Sequence, residues 1–66
     1  MLNAKKVHEL REAADITQLD FANDIGLSQT QLSFLERGLK QPTAIILKRM
    51  ADRLHVTMDE LMEANN

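Results

Sequence analysis

The chain has 66 residues, enough for one small domain, expected to span residues 1–66, in which nearly every apolar side chain is needed for a single core. It contains no cysteine and its longest apolar run is Ala44 to Leu47, which excludes a disulfide framework, a thiolate zinc site, a cysteine nucleophile and a membrane span of ~20 residues, and makes the reducing cytoplasm the expected location. The formal net charge of −2 is unlike that of most nucleic-acid-binding domains, which are basic, but the charges are segregated: Arg37, Lys40, Lys48 and Arg49 fall in a stretch without a single acidic residue, while Asp and Glu crowd the first third and the end.

From Asn3 to Ala14, apolar residues recur at Val7, Leu10 and Ala14, the i, i+3, i+7 spacing of an amphipathic helix. Asn3 is a suitable N-cap, and Leu2 and Val7 stand where a hydrophobic staple would place them. Lys5 and Lys6 fall in the first turn, where the helix dipole disfavours cations by a few tenths of a kcal/mol; a phosphate contact and simple solubility are both consistent with them. Arg11, next to Leu10, lies at the edge of the buried stripe and so requires a partner.

Thr17 caps a second helix, Gln18 to about Asp24, with Asp20 favourable to both cap and dipole. This helix buries Phe21, Ala22 and Ile25. Gly26 then supplies the left-handed turn that two steeply crossing helices require, and Ala22 is small enough to let the next helix approach. Ser28 opens a third helix, with Gln31 completing a capping box. On a 100° wheel Ser28, Leu32 and Leu35 fall on the inward side, while Thr30, Ser33 and Arg37 point away, flanked by Gln29 and Phe34. That outward face is polar and rich in hydrogen-bond donors.

Gly38 stops the third helix, and Lys40-Gln41-Pro42 forms a short loop. Thr43 caps a fourth helix, Ala44 to Leu54, with Ile46, Leu47, Met50, Ala51 and Leu54 at helical spacing. A fifth begins at Thr57 with Glu60 as capping-box partner and presents Met58, Leu61 and Met62; Asn65-Asn66 is expected to fray. The four methionines read as core. His8 and His55 stand alone, without metal spacing, and no nucleophile, carboxylate pair or phosphate-cradling loop suggests an enzyme or a cofactor.

In order and with matching loop lengths, Leu10-Arg11, Thr17-Gln18, Phe21-Ala22, Ile25-Gly26-Leu27-Ser28, Leu32-Ser33, Leu35-Glu36-Arg37-Gly38, Pro42-Thr43, Ala51-Asp52-Arg53-Leu54 and Val56-Thr57-Met58-Asp59-Glu60-Leu61 resemble the lambda-repressor-like (Xre-type, Cro-like) helix-turn-helix family over nearly the whole chain. The resemblance implies an all-α, compact five-helix DNA-binding domain whose helix-turn-helix unit occupies residues 17–37. It also implies that the third helix lies in the major groove while the second crosses the backbone. Gln29 is the leading base-reading candidate, since a carboxamide pairs bidentately with adenine; Thr30, Ser33, Phe34 and Arg37 join it, Arg37 being equally suited to a phosphate. Gln18, Lys40, Gln41 and Thr43 match positions that hold phosphates. Arg11 and Glu36 match a partly buried salt bridge, which supplies the partner Arg11 requires.

Phe34 departs from the pattern, because that position is usually polar. Its ring has three readings: contact with a thymine methyl, part of a protein-binding patch, or packing across neighbouring side-chain stems. The expected function is that of a transcriptional regulator, a repressor that binds a palindromic duplex DNA operator as a homodimer, with the dimer seam among Leu54, Val56, Met58, Leu61 and Met62. These five have core closure as their other reading. The alternative function is a protein-interaction module, an antitoxin or adaptor, on the same scaffold, which the net negative charge and Phe34 favour.

Overall fold

The computed structural model describes residues 1–63, so the expected fraying of Asn65-Asn66 lies outside the described residues. Four α-helices follow one another, α1 (Ala4–Ala13), α2 (Gln18–Ile25), α3 (Gln29–Glu36) and α4 (Ala44–Leu54), before a short 3-10 turn at Asp59–Leu61. Each helix starts where a polar side chain can take a free backbone N–H: Asn3, Thr17, Ser28 and Thr43 accept from Lys6, Asp20, Gln31 and Ile46 at 3.1, 3.1, 3.1 and 3.2 Å. Only Ser28 has the reciprocal half as well, its own N–H donating to Gln31 Oε1 at 2.9 Å. The start of α3 is therefore the most tightly specified of the four.

The helix ends share one device. Asp15, Gly26, Gly38 and His55 adopt left-handed backbone, with φ of 59, 81, 75 and 58°. The residue after each donates back across the last turn: Ile16 to Arg11 O, Leu27 to Ala22 O, Leu39 to Phe34 O and Val56 to Ala51 O, at 3.2, 2.9, 2.9 and 3.0 Å. This closes orphan carbonyls and reverses the chain within two residues. At Gly26 an added Cβ would also lie 2.8 Å from Arg49 Nη1, the tip of a flexible side chain that would have to move aside. That guanidinium donates to Ile25 O at 3.4 Å, so α4 helps to cap α2.

α2 packs on α3 and α4, and α1 packs on α3 and the 3-10 turn. Between them Val7, Phe21, Ala22, Ile25, Leu32, Met50 and Leu61 are wholly buried, with Leu2, Ile16, Leu35 and Ala51 at the margin. Each fully buried side chain of Val, Leu or Phe size contributes about 1.5–3 kcal/mol. Leu10, Leu27, Ile46, Leu47, Leu54 and Val56 close the rim.

Several sequence expectations need correction. The fifth helix is one 3-10 turn. Thr57 Oγ1 does accept from Glu60 N–H at 3.2 Å, but the chain extends at Met62 (φ −99°, ψ 146°) to pair with Leu2 in an isolated antiparallel bridge. Asn3 N–H donates to Leu61 O and Glu63 N–H to Met1 O, both at 2.8 Å, so backbone pairing to the N-terminal segment replaces further helix. Ser28 faces solvent because its hydroxyl serves the cap. Ala14 is exposed, and Ile16 beyond the helix end takes its place in the core. Of the methionines only Met50 is buried; Met1 is 71% exposed and Met58 36%. Among the described residues no helix is long and apolar enough to cross a membrane.

Candidate nucleic-acid interface

α3 is short, and its two faces differ completely. Leu32 and Leu35 are buried, whereas Gln29, Thr30 and Arg37 are exposed and Ser33 and Phe34 half-buried. Thr30, Ser33, Phe34 and Arg37 follow the i, i+3, i+4, i+7 rule and so form one continuous stripe, with Gln29 beside its N-terminal end. None of these side chains is covered by another helix to the point of burial.

Behind the stripe lies the ion pair expected for Arg11 and Glu36. Arg11 Nε donates to Glu36 Oε2 at 2.7 Å and Nη2 to Oε1 at 3.1 Å, a bidentate geometry, while Nη1 donates to Ile16 O at 2.8 Å. Both side chains are almost fully shielded, at 8% and 4% exposure. His8 joins them: its Nδ1 lies 3.1 Å from Glu36 Oε1 and 3.2 Å from Arg11 Nη2, and its Nε2 lies 2.9 Å from Glu12 Oε1. Gln18 Nε2 donates to Glu36 Oε1 at 3.3 Å, and Gln29 Nε2 donates to Gln18 Oε1 at 3.3 Å. One chain of hydrogen bonds thus runs from the buried carboxylate through a phosphate candidate to the leading base-reading candidate. Sequence reasoning missed the roles of His8 and the Gln18 relay. The spacing of 28 and 18 residues to Glu36 carries no local signal; only the crossing of α1, α2 and α3 creates these contacts.

Burial alone would push the Glu36 carboxyl up, but hydrogen bonds from Arg11, His8 and Gln18 and the charge of Arg11 outweigh it and hold it below the ordinary range. Arg11 is shifted up, first by its hydrogen bond to Glu36, against an opposing desolvation. Because the folded state binds the Glu36 proton less readily than the unfolded chain does, this carboxylate stabilises the fold above the ordinary glutamate range, near about pH 4.3. Its contribution is lost as the pH falls through the depressed folded value. Urea melts should show wild type losing more stability than Glu36→Gln between neutral pH and the acid limit; parallel losses would contradict the depressed carboxyl.

The basic stretch does not act as one patch. Lys48 Nζ is 3.0 Å from Asp52 Oδ2, Arg53 Nε 2.7 Å from Asp24 Oδ2, and Arg49 is engaged by Ile25 O. Among the described residues neither Arg37 nor Lys40 has a carboxylate partner; instead they stand over the Phe34 ring, 5.2 and 5.7 Å from its centroid. Lys5 pairs loosely with Glu9 at 3.9 Å. Lys40, Gln41 and Thr43 are exposed in the loop after α3, where Gln41 Oε1 accepts from Leu2 N–H at 2.8 Å and Thr43 caps α4. The dimer candidates divide: Leu61 is completely buried within the protomer and closes the core, while Leu54, Val56 and Met62 are half-buried and Met58 exposed. No group of three or more metal-ligating side chains occurs among the described residues.

Comparison with known proteins matches residues 7–61 to the family described as helix-turn-helix. The uncharacterised HTH-type transcriptional regulator YazB of Bacillus subtilis is 35% identical over 57 residues, covering 86% of this chain and 83% of that protein. The P22 c2 repressor bound to a synthetic operator superposes with a TM-score of 0.89 at 22% identity, covering 98% of both chains. SinR, the master regulator for biofilm formation, in complex with DNA gives 0.83 at 21%, covering 91% of this chain and 97% of that one.

Proposed function

The chain belongs to the helix-turn-helix family of lambda-repressor-like, Xre-type transcriptional regulators, which are DNA-binding proteins and not enzymes, and from that premise we propose that it is a repressor that reads duplex DNA as a homodimer. Residues 1–66 form a single DNA-binding domain in this reading. α3 enters the major groove, and two symmetric copies place their α3 helices one DNA turn, ~34 Å, apart, so that the operator is palindromic. The observation that carries the proposal is the outward stripe of α3: Gln29, Thr30, Ser33, Phe34 and Arg37 lie on the side away from the core, held on a helix whose start and end are both capped. Gln18, Lys40, Gln41 and Thr43 set register on the phosphates. The seam falls to Leu54, Val56, Met58 and Met62, the candidates that remain accessible.

The net negative charge favours a second reading, a protein-holding module on the same scaffold, and salt dependence separates the two. Arg37 and Lys40 of two protomers would neutralise about four phosphates, so log Kobs should fall with log[salt] at a slope of about −4. Gel shifts across a salt series, with sedimentation to count protomers, check both parts. A strictly monomeric protein that retards no duplex at ~50 mM salt would overturn the DNA reading.

A further inference from the structure

Resting on that DNA reading, we propose that Phe34 makes this chain a reader of the pyrimidine 5-methyl group, the methyl of thymine or of 5-methylcytosine, on the base pair that faces the middle of α3. Phe34 sits four residues after Thr30 and one after Ser33 at the flank of the outward stripe; it is half-buried but belongs neither to the core cluster nor to the hydrophobics packed against it. A phenyl ring has no donor or acceptor for a base edge. The one apolar mark that the major groove displays is the C5-methyl group.

The neighbours of the ring fit this task. Arg37 and Lys40 lie across it at 5.2 and 5.7 Å from the centroid, in cation–π contact that restrains it without covering it completely. Neither cation is held by a carboxylate among the described residues. Both can swing to the phosphates that border the groove, which leaves the ring against the base edges where the two charges had screened it from water. An apolar side chain at a position otherwise suited to polar readers thus exchanges hydrogen-bond readout for methyl readout.

The test begins with an operator selected from random duplexes. Its thymines are replaced one at a time by deoxyuridine, which lacks only the methyl group, and then by cytosine or 5-methylcytosine. At one position in each half-site deoxyuridine should weaken wild-type binding about fourfold, the factor that burial of one such carbon provides, and Phe34→Ala should bind the two duplexes equally. Phe34→Leu, which keeps an apolar tip, should retain part of the difference. Binding restored by 5-methylcytosine over cytosine would support the methyl itself as the ligand; a response to deoxyuridine without that restoration would support thymine as its source. Duplex binding by wild type that is indifferent to the methyl at every position, or a difference that persists in Phe34→Ala, would overturn the assignment and leave the DNA reading standing. Failure to bind any duplex would overturn both.

Discussion

Arg11→Met is expected to lower the free energy of unfolding by about 3–5 kcal/mol, much of the roughly 3–10 kcal/mol that 0.05–0.15 kcal/mol per residue allows a chain of this size. Methionine keeps much of the apolar stem of arginine, so the loss is electrostatic in origin. Glu36, with 4% of its side chain exposed, would keep His8 and Gln18 but lose both guanidinium hydrogen bonds, and Ile16 O would lose the donor at 2.8 Å. Replacing both partners, Arg11→Met with Glu36→Leu, removes the stranded charge together with its counterion and should cost far less than the single change. Urea melts of the two single variants and the double variant decide the matter. Equal damage from the single and double substitutions would mean that the pair is not a coupled unit.

Gln29→Ala is expected to leave the fold intact and to weaken recognition at one base pair in each half-site. Its side chain is exposed at the first position of α3, and alanine is a good helix former there, so the thermal midpoint should correspond to a change within about 0.5 kcal/mol. A bidentate carboxamide–adenine contact is worth about 1–3 kcal/mol of discrimination, roughly a fivefold to 150-fold loss at each half-site, and a symmetric dimer suffers it at both. The hydrogen bond from Gln29 to Gln18 adds a second expectation. Gln18→Ala should lower affinity across all sequences and also loosen the preference set by Gln29, because the relay from Glu36 holds that carboxamide in place.

Much of the fold was legible because its signals are local. Asn3, Thr17, Ser28 and Thr43 cap the helices as their residue types dictate, Gly26 and Gly38 occupy the left-handed turns, and Phe21, Ala22, Ile25, Leu32, Leu35, Met50 and Ala51 fill the core. What escaped was set by tertiary contact. Asp15 and His55 take left-handed backbone that glycine would announce, and Ile16 reaches the core only because the chain reverses at Asp15. The element after Thr57 stops as a 3-10 turn because its backbone pairs with Asn3 and Met1, partners far away in sequence. At the interface, the wheel separated the outward stripe of α3 from Leu32 and Leu35, and family resemblance paired Arg11 with Glu36. Linear charge counting found four cations from Arg37 to Arg49 without an acidic residue among them. It missed that Lys48 pairs with Asp52 and that Arg49 donates to Ile25 O, whereas Arg37 and Lys40 stand over the Phe34 ring without a carboxylate partner among the described residues.

Selection of binding sites from random duplexes, run in parallel with wild type and Gln29→Ala, tests the orientation of α3 most directly. Wild type should enrich a palindrome whose halves are one turn apart, and the variant should enrich the same palindrome with the preference lost at one base pair in each half. Identical selected sequences from both proteins, or no enrichment by wild type, would contradict that orientation.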